Sequence, residues 1–203
     1  KADITAILEQ AKADVTLTLR DGLGPLHLTS LIGDVPTLRT LLSFPKVKEQ
    51  LNAVDAGNRT ALYGAALKGH AEIVKILLAA GADPNIPETE SRFTPLHIAC
   101  WNKDHTEAVK ALLASPKTNI NATAGAFTPE FKGKDGPEKI SMHAATPLDM
   151  ACIRGSFASA ESLNKRQAKT RATMGPDNKP FQEFAKEKGW NRIGRLLQSA
   201  IDA

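Results

Sequence analysis

Apolar residues recur along the chain at the spacing of short amphipathic helices, and the same arrangement returns several times. In residues 73–80 an apolar residue stands at every third or fourth position, which places these side chains on one helical face. Similar runs occupy 108–113 and 193–197. Each run follows another short segment, which has leucine as its third residue except in the degenerate copy that begins at Pro180, so the pattern predicts pairs of helices. The first segments of the pairs begin at residues 24, 60, 94 and 146.

Local signals predict where these helices begin and end. A threonine followed by proline begins a helix, because threonine caps it and proline suits its first turn. The first helix of a pair ends at Gly33, Gly69 or Gly155, where a turn needs a residue that tolerates positive φ. The second helix ends in a polar turn such as Gly-Ala-Asp-Pro-Asn at 81–85. Since two short helices cannot bury their apolar faces alone, the pairs are predicted to stack into a solenoid.

Three motifs carry a resemblance to a known family. They are Thr-Ala-Leu at 60–62, Gly-Ala-Asp-Pro-Asn at 81–85 and Thr-Pro-Leu-His-Ile-Ala at 94–99. By these motifs the chain resembles the ankyrin-repeat proteins over residues 19–203. The resemblance implies an all-α solenoid of antiparallel helix pairs, with projecting turns called fingers between them. Lys103-Asp104 departs from the family pattern, which has glycine there.

The repeat predicts six units, the first and last of them caps. The interval between 94 and 146 is 52 residues, against 34 for the one before it, and Gly, Pro and Lys residues favour an inserted finger-side loop of about 122–140. This loop is either a second contact site or a tolerated insertion. The predicted units are an N-terminal half-repeat or cap at 1–18, repeats at 19–54, 55–88, 89–140 (with the loop) and 141–174, and a degenerate C-terminal cap at 175–203.

Composition narrows the classes of function. Net charge is +4 from 26 basic and 22 acidic residues, too small an excess to indicate nucleic-acid binding. The longest apolar run, 76–82, is too short to span a membrane. The chain begins with lysine rather than methionine, so we expect a processed or excised fragment. Two cysteines without metal or redox spacing favour an intracellular compartment, cytoplasmic or nuclear.

Candidate chemistry is sparse. Cys100 and Cys152 stand at equivalent repeat positions, and the distance between packed helices predicts that both are reduced, buried and inert. His27 and His97 are also equivalent, and the resemblance implies that they tie neighbouring turns together by hydrogen bonds. No catalytic motif occurs, so we expect a non-enzyme without cofactor or metal.

The resemblance implies binding through the finger tips and the exposed ends of the first helices, which together line a concave groove. Aliphatic and aromatic residues recur at the helix ends, flanked by basic ones, and such strips mark protein interfaces. The alternative is that these side chains fold onto the next repeat and complete the core, and for Leu31 and Leu67 both alternatives stay open. Trp101 is too large to pack easily at a groove position, which favours a binding role. The candidate partner-binding residues are Leu31, Ile32, Arg59, Leu67, Lys68, Phe93, Trp101, Asn102, Met142, His143, Ile153 and Arg154.

The sequence therefore predicts a non-catalytic module that binds a protein partner and is monomeric on its own. It is a candidate recruiting domain or an effector of an intracellular bacterium. One alternative is a regulatory or substrate-recruiting domain of a larger enzyme. Another is binding of nucleic acid or an anionic surface by the basic C-terminal helices, disfavoured because stacking aromatics are missing. Asn85 and Asn121 resemble asparagines that are hydroxylated in other ankyrin proteins, which makes them hydroxylation candidates.

Overall fold

A computed structural model describes residues 16–102, 104–133, 136–174, 177, 179–181, 183, 186 and 195. Eight of the helices described here form four pairs, a short extra helix follows the first pair, and the strands lie in and next to the insertion and after the last pair. The helices are α1 (Pro25–Ile32), α2 (Val35–Leu41), α3 (Pro45–Glu49), α4 (Ala61–Lys68), α5 (Ala71–Ala80), α6 (Pro95–Trp101), α7 (Thr106–Ala114), α8 (Pro147–Arg154) and α9 (Phe157–Asn164). The strands are β1 (Glu130–Gly133), β2 (Gly136–Lys139), β3 (Met142–His143), β4 (Thr173–Met174) and β5 (Lys179–Pro180).

The stack that the repeat predicts is confirmed in the described residues. The inner helices α1, α4, α6 and α8 pack side by side, and the outer helices α2, α5, α7 and α9 form a second layer. Leucines at the same inner position, Leu62, Leu96 and Leu148, are almost completely buried between neighbours. Burying a leucine side chain contributes about 1.5–3 kcal/mol, and each repeat supplies the cover that its neighbour lacks.

Caps set the helix ends as the sequence predicts. The Thr60 hydroxyl accepts a hydrogen bond from the Tyr63 amide at 3.1 Å, which satisfies one orphan donor of α4. The inner helices α1, α4 and α8 end at glycines with φ of 90°, 76° and 69°. Helix α6 ends one position earlier, with Asn102 as its C-cap at φ of −106°, so its cap residue is not left-handed.

Histidines connect successive repeats. His27 Nε2 lies 3.0 Å from the Arg59 carbonyl oxygen, and His97 Nε2 lies 3.1 Å from that of Ala145. In both residues Nδ1 accepts a backbone N–H at 3.2 Å, so Nε2 carries the proton and donates to the next finger. The predicted role of these two histidines is thus confirmed.

Asparagines form a second set of links. The side-chain oxygens of Asn52, Asn85 and Asn121 each accept a backbone N–H from the following repeat, at 2.8, 2.8 and 2.7 Å. The turns that follow the outer helices are therefore held in one register from repeat one to repeat four. Each of these asparagines accepts a hydrogen bond from a backbone N–H that the turn would otherwise leave unpaired.

The insertion differs from the predicted irregular loop, because it forms a long β-hairpin. The Ala124 amide donates to the Ala145 carbonyl at 2.8 Å, and Phe127 and Met142 exchange two backbone hydrogen bonds. Beyond them β1 and β2 pair antiparallel, from Glu130–Lys139 to Gly133–Gly136. Glycine, proline and lysine argue for a loop by composition, but a ladder is made by backbone groups and tolerates such residues on an outer hairpin.

The hairpin is joined to the next repeat on its other side. Strand β3 pairs with β4, and β4 pairs with β5, in a small three-stranded sheet. Most of the predicted N-terminal unit at 1–18 and most of the predicted C-terminal cap at 175–203 lie outside the described residues. Within the described part of the chain, every helix is too short to cross a bilayer.

Candidate functional site

Residues of the inner helices form a row along the concave face. Leu31, Leu67, Trp101 and Ile153 occupy the same position in four successive helices and are half-buried; we call them the concave row. At the next position along each helix, Ile32 is 74% exposed. Its counterparts Lys68, Asn102 and Arg154 are exposed too. The structure therefore brings eight of the predicted site residues together on one face.

Trp101 of the concave row also belongs to an aromatic cluster, which it forms with Phe93 and Phe127. The Phe127 ring from the hairpin lies edge-on to Phe93 at 5.0 Å and to Trp101 at 5.9 Å between centroids. The Arg154 guanidinium lies 4.6 Å from the centre of the Trp101 ring. Arg154 Nε also donates to the Trp101 carbonyl at 3.1 Å. Aromatic and cation–π contacts of this kind hold the Trp101 ring in place.

Trp101 was expected to be too large to pack easily at its groove position, but its ring is half-buried and packed; the binding role expected for it stays a prediction. The insertion brings Phe127 over the ring, and Arg154 packs on it from the next repeat. Phe93 corrects a second expectation, because it is a buried member of the cluster, 8% exposed, and not an open finger residue. Sequence reasoning missed Phe127, which lies inside a segment without helical periodicity.

Met142 is a further correction. We expected an exposed finger residue, but its side chain is 0% exposed. Met142 pairs with Phe127 in the hairpin and with Met174 in the next finger. It therefore lies in a central strand, between two neighbours, instead of at an open edge. Its neighbour His143 points to the opposite face of the strand and is exposed, as strand alternation requires.

The N-terminal part of the concave face has a pocket instead of a cluster. It lies where α1, α4 and the finger at 55–59 meet, and we call it the N-terminal pocket. Its volume is about 80 Å³. It is lined by Leu23, His27, Leu31, Asp55, Arg59, Thr60, Tyr63, Gly64 and Leu67. Leu31, Leu67 and Arg59 were predicted from the sequence to lie at this surface, whereas Tyr63 and Gly64 were not among the predicted site residues.

Arg59 and Asp55 form an ion pair at the rim of the pocket. Arg59 Nη2 lies 2.8 Å from Asp55 Oδ2, and the side chains are 50% and 3% exposed. Burial alone would raise the pKa of Asp55, but hydrogen bonds from Arg59 and Gly57 outweigh it and leave this pKa below its ordinary value. The carboxylate is therefore turned inward, and the guanidinium is the charge that faces solvent.

Two groups that could suggest chemistry are explained by packing. Cys100 and Cys152 are free and buried, as predicted, and burial raises the pKa of both thiols, which leaves them protonated.

Asp149 stands where repeats one and three have histidine. Its Oδ2 accepts the amides of Arg171 and Ala172 at 3.0 and 3.1 Å, so it anchors the chain after α9.

The remaining predicted sites lie away from the concave row. Asn85 and Asn121 are half-buried, and the inter-repeat hydrogen bonds occupy their amide oxygens; hydroxylation at either residue stays a prediction. The basic residues 165, 166, 169 and 171 are exposed in the turn after α9, where Lys165 pairs with Glu161 at 3.0 Å. The rest of the basic C-terminal segment is mostly outside the described residues.

Comparison with known proteins agrees with this architecture. A family model described as ankyrin repeats (3 copies) matches residues 2–88 and 47–124. The nuclear factor NF-kappa-B p105 subunit of Gallus gallus is 28% identical over 123 residues, 61% of this chain and 12% of the relative. The tRNA endonuclease ANKZF1 of Homo sapiens is 30% identical over 146 residues, 68% of this chain and 20% of the relative.

A putative ankyrin repeat protein of Rickettsia bellii is 40% identical over 58 residues, 29% of this chain and 23% of the relative. The chain thus spans less than a quarter of the length of each of these relatives. Ankyrin repeats generally mediate protein–protein interaction, and the family is generally non-catalytic. The family model matches more than half of the chain, and the stack of helix pairs and the links between repeats agree with it. The chain therefore belongs to the ankyrin-repeat family.

Proposed function

We propose that this chain is a non-catalytic module that binds a protein partner on its concave face. The observation that carries the proposal is the concave row, in which four equivalent apolar side chains lie in register and stay half-exposed. Exposed Ile32, Lys68 and Arg154 border the row. An apolar centre with a polar rim is the usual anatomy of a protein interface.

The aromatic cluster supports the same reading in a different way. Trp101 and Arg154 belong to the residue types that most often dominate binding energy at interfaces. Their mutual contact at 4.6 Å fixes both side chains before a partner arrives. A partner then meets a preformed surface and loses less conformational entropy on binding. We also propose an intracellular setting, supported by the two free, buried thiols.

The setting of the module is proposed from its relatives. Because the chain spans a small part of each of them, we propose that it recruits partners for a longer protein. The Rickettsia bellii relative supports a bacterial effector as one such protein, and the similarity to ANKZF1 supports a regulatory domain of a larger enzyme as another. The sequence of the full-length protein distinguishes the two, since an enzyme would add a catalytic domain.

The test compares the two faces of the stack with one type of substitution. Ile153→Glu places a charge on the concave row, and Leu78→Glu places the same charge at a half-buried leucine of the outer helix α5. Proteins retained by each variant from a cell lysate are quantified by mass spectrometry, and circular dichroism confirms folding. We expect the specific partner to be lost with Ile153→Glu and kept with Leu78→Glu. A partner lost only with Leu78→Glu would place binding on the convex face and refute the proposal.

A further inference from the structure

One inner helix departs from the others at the position that faces the preceding repeat. Repeats one, three and four have Leu28, Ile98 and Met150 there, and repeat two has Gly64. A Cβ atom at Gly64 would lie 3.3 Å from the Leu31 side chain, so this position points at α1. Glycine inside a helix is less favourable than any of the three aliphatic residues. Repeat two thus gives up helix stability at a position that the Leu31 side chain approaches closely, and a gap remains beside these two residues.

The gap is the N-terminal pocket. Leu23, Leu31 and Leu67 give it apolar walls, and its volume of about 80 Å³ suits a single aliphatic side chain. Pockets that hold cofactors and drug-sized ligands measure about 300–1,000 Å³. The size of the gap therefore favours one side chain of another chain over a cofactor.

Tyr63 adds a polar group to these walls. Among the described residues no partner accepts or donates a hydrogen bond at its hydroxyl, and Tyr63 bonds through its backbone amide to Thr60. Burial raises the pKa of this phenol, so the hydroxyl stays protonated and can donate. A backbone carbonyl or carboxylate of an incoming segment would satisfy it.

Arg59 contributes a guanidinium that faces solvent at the rim, and Asp55 and Glu88 are the acidic groups that act on it. Asp55 is turned inward by the amides of Gly57 and Arg59, each 2.9 Å from its Oδ1, whereas the Arg59 guanidinium faces solvent. Lys68 at the end of α4 is exposed as well. An acidic residue beside the anchoring side chain would complement this rim, since Arg binds carboxylates through several parallel donors.

We propose that the N-terminal pocket binds one aliphatic side chain of a partner-protein segment that carries an aspartate or glutamate within three residues of it. This deepens the proposed function and rests on it, because it assigns a side-chain class to one part of the concave face. A small apolar molecule and a second copy of this chain are the other occupants that the test separates.

The experiment selects 12-residue peptides from a random phage-displayed library on the whole chain. We expect enriched peptides to share an aliphatic residue with a nearby acid. Synthetic versions are then titrated against wild type, Gly64→Leu and Gly64→Met, which restore the residue types of the other repeats and fill the gap. We expect at least a tenfold loss of affinity with both variants, and the same loss when the peptide acid is replaced by lysine.

Control variants separate the pocket from the wider groove. Thermal unfolding shows that the Gly64 variants are folded. Ile153 lies outside the pocket. Peptides that bind Gly64→Leu as tightly as wild type but no longer bind Ile153→Glu would refute binding in the pocket and still support binding on the concave row. Peptides sensitive only to Leu78→Glu would refute both. The assignment would also be overturned if no peptide is enriched, or if peptides with lysine in place of the acid bind equally well. Self-association of the chain that Gly64→Leu abolishes would overturn it too, because the occupant would then be a second copy.

Discussion

The N-terminal half of the concave face, between α1 and α4, differs from the C-terminal half, between α6 and α8, in what lies over its apolar side chains. In the N-terminal half Gly64 leaves Leu31 and Leu67 beside an open pocket. In the C-terminal half Phe127 of the hairpin and Arg154 pack on Trp101. Equivalent positions of the repeat therefore border an open pocket in one place and pack under neighbouring side chains in another.

Exposure on a repeat surface therefore depends on the neighbouring residues. The concave row has one residue per repeat, but Leu31 and Leu67 lie beside a glycine and a pocket, whereas Trp101 lies under an aromatic ring from the insertion.

The largest effect concerns Trp101. We expect Trp101→Ala to lower the free energy of unfolding by about 3 kcal/mol, because the ring packs on Phe127 and Arg154. Leu67→Ala is the matched change in the open half and should cost about 1 kcal/mol, since that side chain borders a pocket. Urea unfolding followed by circular dichroism measures both. Equal costs would show that the two halves are packed alike.

Acid should weaken the C-terminal half. Burial, only partly offset by hydrogen bonds to backbone carbonyls, lowers the pKa of His97 to about 4 from its ordinary value of 6.5. Between these values the unfolded chain binds a proton that the folded chain does not, so stability is complete above pH 6.5 and falls as the pH drops towards 4. At pH 5 the loss is about 2 kcal/mol relative to pH 7.

Urea unfolding at pH 7 and pH 5 tests the acid effect. His97→Gln keeps a donor for the Ala145 carbonyl but cannot titrate, and we expect it to lose most of the pH dependence. His143→Gln changes an exposed histidine and should keep the wild-type dependence. If His97→Gln is as sensitive to acid as wild type, the destabilisation comes from another group.

Phe127 should determine how far Trp101 is shielded. We expect Phe127→Ala to cost about 1.5 kcal/mol, because it removes two edge-on ring contacts. In a Trp190→Phe background, Trp101 emission should also shift to longer wavelength and be quenched more readily by acrylamide. Gly64→Leu, in the open half, should leave the emission unchanged. Unaltered emission after Phe127→Ala would mean that the hairpin does not cover the ring.

The smallest effect should be a gain in stability at Gly64. Gly64→Ala improves helix propensity, and half-exposed Leu31 can move away from the added methyl group, so we expect a gain of about 0.5 kcal/mol. Differential scanning calorimetry should show a Tm higher by about 1–2 °C. A lower Tm would show that Leu31 cannot yield and that the gap is smaller than the structure indicates.

Much of the fold follows from local sequence. The glycines at 33, 69 and 155 end helices because only glycine adopts their left-handed φ cheaply, and equivalent residues such as His27 and His97 act alike because the repeat gives them equivalent surroundings. The site was predicted less well. Met142 and Phe93 were placed on the surface because a finger is exposed in general, whereas each has a particular neighbour that buries it.

The helix pairs, their caps and their order follow from the amino-acid sequence, since propensity, capping and apolar period act over a few residues. Three features come from tertiary contacts: residues 124–133 pair with 136–145, Phe127 packs on Trp101, and Gly64 and Tyr63 border a pocket. These features depend on residues far apart in the chain. Whether a gap stays open depends on the shape of the neighbouring repeat, which no local pattern contains.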